Sequence, residues 1–96
     1  MLTLDSQPKL AAKARLRFDR HSGQHLLMYP ERGMQLDDTA AQIVQLCDGV
    51  RSVAVIAQEL AERYAQAAPQ IEKDVLEFLQ SLSERCLIDD LAVAVQ

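Results

Sequence analysis

The sequence predicts an α+β domain in which a three-stranded antiparallel sheet is followed by a bundle of three helices. The residues from 15 to 36 alternate between polar and apolar side chains in short runs separated by turn residues, which is typical of strands. From residue 38 onward, apolar side chains recur every three or four positions, which is typical of amphipathic helices. With 96 residues, of which 49% are hydrophobic and 25% charged, the chain can form one modest core.

Three strands are predicted in the first part of the domain. Arg15–Arg20 alternates polar and apolar residues, and His25–Tyr29 is apolar on both faces, which indicates that the second strand is central. Pro30 suits a turn in which Gly33 is free to adopt an unusual backbone angle. The third strand, Met34–Leu36, is short and follows that turn, so we expect it at a sheet edge. An edge strand leaves backbone N–H and C=O groups unpaired, and these can accept an added peptide strand.

The three helices have clear start and stop signals. Residues 37–39 can cap the first helix, and Gly49 can end it in a left-handed conformation. Ser52 caps the second helix. Pro69 suits the first turn of the third helix, which runs to about Arg85. The strands and helices together form a winged-helix-like order.

The third helix carries a core stripe and an apolar flank. At about 100° per residue, the predicted core stripe consists of Ile71, Val75, Phe78 and Leu82. Leu79 lies at its margin. Leu76 projects roughly 110° from the stripe centre, on the same flank as Glu72 and Ser83. An exposed leucine there is either a surface residue or the floor of a groove.

The ends of the chain have weaker patterns. We expect residues 1–14 to be an extended lead-in, residues 15–88 to be the folded domain and residues 89–96 to be a tail. Cys86–Ile88 is either a brief terminal strand or a packed exit from the third helix. Leu91–Val95 is apolar and would either cover the domain or associate with another copy, so a homodimer is one alternative.

Charge and hydropathy exclude several classes of partner. The net charge of −4 repels nucleic acid and anionic membranes. A DNA-binding wing, the least favoured alternative, would need basic side chains on the third helix, whose polar positions are mainly acidic. The chain has no signal segment, and no apolar run approaches the ~20 residues that span a bilayer. The expected location is therefore the cytoplasm.

The residues that could carry catalysis or bind a metal are better explained as structural. Cys47 and Cys86 belong to no metal-binding spacing and are interpreted as small buried hydrophobes. His21 and His25 flank a turn, and no carboxylate or thiolate is placed to complete a metal site with them. No glycine-rich phosphate loop is present. We therefore expect no enzymatic activity, no metal and no cofactor.

Several short strings, taken in order, resemble the PqqD family of pyrroloquinoline quinone biosynthesis. They are Arg15-Leu16-Arg17-Phe18-Asp19, Tyr29-Pro30-Glu31, Leu36-Asp37-Asp38-Thr39-Ala40, Leu46-Cys47-Asp48-Gly49 and Asp74-Val75-Leu76-Glu77-Phe78-Leu79. The resemblance runs from about Pro8 to Ile88. One departure is Cys86, because many relatives have glycine at this helix end, where a left-handed residue is favoured.

The resemblance implies a peptide chaperone with the fold of the recognition elements of modified-peptide pathways. Such a protein binds the precursor peptide PqqA and presents it to the radical S-adenosylmethionine enzyme PqqE, which cross-links a glutamate to a tyrosine. The alternative is a leader-peptide recognition domain of another ribosomal-peptide pathway. In this family the leader lies along the third strand and against the third helix. Carried over by position, the implied contacts are Gly33, Met34, Gln35, Leu36, Leu76, Leu79, Gln80 and Ser83.

Overall fold

The computed structural model describes residues 2–30 and 32–92. Its elements are β1 (Pro8–Leu10), β2 (Arg15–Asp19), β3 (Gln24–Tyr29), β4 (Arg32–Leu36), α1 (Asp38–Leu46), α2 (Val53–Tyr64), α3 (Ala68–Glu84) and β5 (Ile88–Asp90). The predicted α+β order is confirmed: β2, β3 and β4 form one antiparallel sheet, and three helices follow. The short strands β1 and β5 form a second sheet that the sequence pattern did not predict.

The three-stranded sheet has the order β2-β3-β4, so the prediction that the second strand is central is confirmed. Leu27 of β3 is completely buried and pairs with Leu16 on one side and Met34 on the other. The third strand begins at Arg32, two residues earlier than predicted. Gly33 lies within it, opposite Met28, and its φ is not in the left-handed region. The expectation of an unusual backbone angle at Gly33 is therefore wrong, because the residue belongs to the strand and not to the turn.

The predicted N-terminal helix caps are confirmed, whereas α1 ends at Leu46 with Cys47 as its C-cap, before the left-handed Gly49. Asp37 accepts a hydrogen bond from the Ala40 N–H at 2.7 Å, and Ser52 accepts one from the Val55 N–H at 3.2 Å. Each bond satisfies one of the N–H groups that a helix leaves unpaired in its first turn. Because α1 begins directly after β4, the Asp37 cap also fixes the point at which the edge strand ends.

Helix α3 is rotated relative to the predicted core stripe. Its buried residues are Ile71, Val75, Leu79 and Leu82. Phe78, which was placed in the stripe, is only half-buried, and Leu79, which was placed at the margin, is 0% exposed. The two stripes differ only in whether Phe78 or Leu79 is the third member, so their spacing is equally helical. The packing of α3 in the core selects between them.

The ends of the described chain fold onto the domain. Strand β1 pairs with β5, with Pro8 opposite Asp90 and Leu10 opposite Ile88. The Asp90 carboxylate accepts a hydrogen bond from the Gln7 N–H at 2.9 Å. Burial raises the pKa of Asp90, but this bond and those from Ser6 and Ala92 more than offset it, so the pKa lies below its usual value. The predicted lead-in thus contains a paired strand, and the tail contributes residues 89–90 to β5; residues 93–96 lie outside the described part.

Helix α3 ends in a Schellman motif centred on Cys86. The Cys86 N–H donates to the Ser83 carbonyl at 2.9 Å, and the Leu87 N–H donates to the Leu82 carbonyl at 3.0 Å. Leu82 and Leu87 are both completely buried, as is usual for the two apolar residues that flank this motif. Cys86 has a φ of 60° and is exposed, so the interpretation of this cysteine as a buried hydrophobe is wrong. Cys47 is buried, as predicted.

Replacement of Cys86 by glycine is expected to stabilise the protein. The left-handed conformation costs a non-glycine residue about 1 kcal/mol relative to glycine, and Cys86 is exposed, so its side chain contributes little to the core. A gain of this size raises the melting temperature of a domain of this length by roughly 4 to 8 °C. Thermal unfolding checks the change, with Cys86→Ala as the control, because alanine keeps the Cβ and should melt close to the parent. Equal melting temperatures for the glycine and alanine variants would contradict the prediction.

Candidate peptide-binding site

The outer edge of β4 presents backbone groups from alternate residues. Tyr29 pairs with Arg32 and only two residues separate them, so this pair closes the hairpin with hydrogen bonds in both directions. Bonded and non-bonded pairs alternate along an antiparallel ladder. Met34 and Leu36 therefore bond to β3, whereas the N–H and C=O groups of Gly33 and Gln35 point away from the sheet.

The outward groups of β4 have no backbone partner in the described part of the chain. Strand β4 pairs only with β3, and no other described backbone hydrogen bond involves Gly33 or Gln35. The side chain of Gln35 donates to that of Gln24 across the sheet. Met34 and Leu36 turn their side chains to the core face, where Leu36 is buried and Met34 half-buried. The structure thus places all four predicted strand residues on an edge that can accept another strand.

Helix α3 runs beside this edge in the opposite direction. Asp74, in the first half of the helix, lines a cavity of about 220 Å³ with Thr39 of α1, the helix that begins just after β4. Arg85, at the end of the helix, lines a depression with Arg32, at the start of β4. The helix face that carries Asp74 and Arg85 is therefore near the start of β4 at Arg85 and near the start of α1 at Asp74.

Phe78 lies on that same face, between Asp74 and Arg85. The three residues are separated by four and seven positions, which correspond to one and two helical turns. The Phe78 ring packs against the core and is half-buried, so part of it remains open. We call the face of Asp74, Phe78 and Arg85 the groove flank. The sequence pattern predicts Phe78 as a core residue, so it gives no signal that the ring is partly open on this face.

The helix residues that the family resemblance implied lie on other faces of α3, and their role in peptide binding stays a prediction. Leu76 and Gln80 line an open depression of about 340 Å³ together with Leu2, and the Leu2 N–H donates to the Gln80 side chain at 3.0 Å. Ser83 is half-buried. The depression that Leu76 and Gln80 line contains no β4 residue. Leu79 is completely buried and would support a groove only from beneath.

Opposite charges lie at the two ends of β4. At its start, Lys13, Arg32 and Arg85 line a depression of about 570 Å³ with Tyr29 and Pro30, which we call the cationic pocket. At its end, Asp37 and Asp38 line a second depression of about 430 Å³. In that depression the His25 ring lies 3.8 Å from the Asp38 carboxylate, an ion pair when the histidine is protonated.

The thiol and histidine side chains have surroundings that favour structural roles. Burial, with a smaller contribution from the Asp48 carboxylate, raises the pKa of Cys47 to about 12, so this thiol stays protonated and unreactive at neutral pH. Its Sγ lies 3.1 Å from the Ile43 carbonyl oxygen. His21 lies in the β2–β3 turn, where its backbone N–H donates to the Asp19 side chain.

Two further kinds of site are not found among residues 2–30 and 32–92. No three His, Cys, Asp or Glu side chains there form a group that could hold a metal. No helix in the same residues is long and apolar enough to cross a membrane.

Comparison with curated proteins gives a consistent set of relatives. The family model described as coenzyme PQQ synthesis protein D (PqqD) matches residues 24–88. A protein from Xanthomonas euvesicatoria pv. vesicatoria (strain 85-10), named PqqA binding protein, is 46% identical over 87 residues, which cover 91% of this chain and 95% of the relative.

Comparison with solved structures agrees with the match to the PqqD family model. One match is the solution structure of the PqqD truncation of Methylobacterium extorquens PqqCD, with a TM-score of 0.82 and 35% sequence identity. The match covers 93% of this chain and 95% of that chain. That protein is described as a functional and stand-alone recognition element for ribosomally synthesized and post-translationally modified peptides. A second match is a lasso peptide synthetase B1 complexed with the leader peptide, with a TM-score of 0.73 and 30% sequence identity. This match covers 88% of this chain and 99% of that chain. The family match, the sequence identity and the shared fold establish that this chain belongs to the PqqD family.

Proposed function

We propose that this chain is a peptide chaperone that binds the precursor peptide PqqA as an added strand on the outer edge of β4, over the groove flank of α3. The observation that carries the proposal is the outward row of Gly33 and Gln35, which has no backbone partner in the described residues. We assign the half-open Phe78 ring of the groove flank to the same groove. The name of the Xanthomonas relative, PqqA binding protein, supports the identity of the ligand. The lasso peptide synthetase structure, which contains a leader peptide, supports the kind of ligand.

Backbone pairing alone would give weak binding. Gly33 and Gln35 together offer two N–H and two C=O groups, and four hydrogen bonds contribute roughly 2 to 6 kcal/mol. Association costs about 4 to 15 kcal/mol in lost freedom. An apolar contact must therefore add to the backbone bonds, and we assign it to Phe78, with a contribution of roughly 1.5 to 3 kcal/mol. In this proposal the edge of β4 selects a peptide in an extended conformation, and the Phe78 ring selects an apolar side chain of that peptide.

In the proposed pathway role, the chain is not an enzyme and needs no cofactor of its own. It holds PqqA and presents it to the radical S-adenosylmethionine enzyme PqqE in the cytoplasm, where ribosomal precursor peptides are made. The protonated, buried Cys47 is consistent with a binding role, since it cannot act as a thiolate nucleophile at neutral pH. Chemistry on the bound peptide is assigned to the partner.

Amide hydrogen exchange with and without PqqA tests the proposal residue by residue. In the free protein, we expect the Gly33 and Gln35 amides to exchange fast and the Met34 and Leu36 amides to exchange slowly, because only the second pair bonds to β3. Saturation with PqqA should slow the first pair and leave the second pair unchanged. Met34 and Leu36 thus serve as internal controls. Unchanged exchange at Gly33 and Gln35 in a saturated complex would exclude strand addition at this edge.

A second candidate is recognition of the leader peptide of another modification pathway. The match to the lasso peptide synthetase B1 in complex with its leader favours this class, since a similar fold there binds a different peptide. Competition between PqqA and that leader for the purified chain separates the two candidates. Binding of PqqA with displacement by only a large excess of the lasso leader supports the PqqA assignment, and the reverse preference supports the alternative.

A further inference from the structure

We propose that the cationic pocket at the start of β4 binds an acidic side chain of the peptide and so fixes the direction in which the peptide lies on the strand. This inference rests on the proposed function, because it concerns the same groove. It adds a charged subsite and an orientation, neither of which follows from backbone pairing. Backbone hydrogen bonds alone are compatible with a peptide in either direction along an edge strand.

The pocket brings together three cations from three separate parts of the chain. Lys13 lies between β1 and β2, Arg32 is the first residue of β4, and Arg85 is the C-cap of α3. All three side chains are exposed, and none forms an ion pair with a carboxylate in residues 2–30 or 32–92. The chain as a whole carries a net charge of −4, so this local excess of positive charge opposes its average.

A purely structural explanation accounts for only one of these cations. Arg85 at the end of α3 interacts favourably with the negative end of the helix dipole. Lys13 and Arg32 are not on the helix, and bringing them beside Arg85 costs repulsion between like charges. A bound carboxylate would remove that repulsion, and the planar guanidinium groups suit its two oxygens.

The opposite end of the same strand repels an acidic side chain. Asp37 and Asp38 lie where β4 ends, and Asp74 lies beside Thr39 on the facing helix. His25 is the one titratable base in that depression. A peptide with an acidic residue at the cationic pocket gains attraction there, whereas the reversed peptide places the same residue among carboxylates. The charge difference along β4 therefore favours one direction.

Coupled substitutions in peptide and protein test the subsite. Each Asp and Glu of PqqA is replaced singly by Asn or Gln, and affinity is measured for the parent and for a Lys13→Gln/Arg85→Gln variant. We expect one peptide substitution to weaken binding to the parent by about threefold to tenfold, and the same substitution to have no effect on the double variant. Lysine at that peptide position should restore binding to Arg85→Glu. Lys73→Gln is the matched control, since Lys73 is exposed on the same helix but turned about 120° from Arg85.

The outcomes separate this inference from the proposed function. If PqqA binds the parent tightly but every acidic substitution acts equally on the parent and on the double variant, the charged subsite is wrong and the peptide-binding function stands. If Lys73→Gln removes the coupling as well as Lys13→Gln/Arg85→Gln does, the effect is one of overall charge and the subsite is again wrong. If PqqA does not bind the parent at all, the proposed function fails and the subsite with it.

Discussion

Replacement of Gln35 by proline is expected to abolish most PqqA binding while the protein stays folded. Proline removes the outward N–H of Gln35 and puts a ring where the added strand must approach. The peptide carbonyl that would have bonded there loses its partner, which costs about 1 to 3 kcal/mol, and the steric clash adds to this loss. Affinity should therefore fall by about tenfold or more. The fold is spared because this N–H makes no bond to β3.

Proline at the adjacent position is the control and should have the opposite effect. The Met34 N–H points into the sheet and bonds to β3, where Met34 faces Leu27. Met34→Pro removes a ladder bond, costs roughly 3 kcal/mol or more of stability and should lower the melting temperature markedly. Circular dichroism reports the fold, and calorimetric titration with PqqA reports binding. A folded Gln35→Pro variant with the affinity of the parent would exclude strand addition at this edge.

Substitution of Phe78 by glutamine is expected to weaken PqqA binding by about tenfold or more. The open part of the ring lies on the groove flank, and loss of one buried aromatic contact corresponds to roughly 1.5 to 3 kcal/mol. Glutamine is a good helix former and can extend into water from this half-buried position, so α3 should persist. The measurement is the dissociation constant of PqqA for variants that melt as single cooperative transitions.

Leu76→Gln is the matched variant, because the resemblance to the family implies Leu76 as a contact, whereas the proposed groove flank contains Phe78. Leu76 is also half-buried but lies beside Leu2 and Gln80, away from the depressions that contain β4 residues. Its loss should reduce stability slightly and leave PqqA affinity within about twofold of the parent. Val75→Asp is expected to unfold the protein, because a charge at this 1% exposed position has no partner, and it serves as the reference for a variant that loses binding by unfolding. A large binding loss for Leu76→Gln alone would place the groove on the other flank.

The features that could be predicted from the sequence are those set by local chemistry. The Asp37 and Ser52 caps depend on residues three positions away, so their side chains are sufficient to identify them. The central position of β3 follows from its two apolar faces, and the open edge of β4 follows from a short strand after a proline turn. The edge position of β4 is therefore predictable from the sequence, and the role of its residues in peptide binding stays a prediction.

The features that could not be predicted depend on contacts between distant residues. Strands β1 and β5 have three residues each and are about 80 positions apart, so neither shows a period that indicates pairing. The choice between Phe78 and Leu79 as a core residue depends on the rotation of α3 against the rest of the core, which spacing does not determine. That rotation also decides which flank of α3 is closer to β4, and spacing alone does not determine the helix half of the candidate site.

Because Pro8 pairs with Asp90, the chain enters and leaves the domain at neighbouring points of the β1–β5 sheet. Domains whose ends lie close together are readily joined to other proteins, since the insertion or fusion does not stretch the fold. Neither β1 nor β5 pairs with β4, so a polypeptide fused at either end would leave the β4 edge unpaired. The Methylobacterium extorquens relative, a PqqD truncation taken from the larger PqqCD, is described as functional and stand-alone. The closeness of the two ends, which permits attachment to another protein without strain in the fold, is thus a geometric property of the smaller sheet.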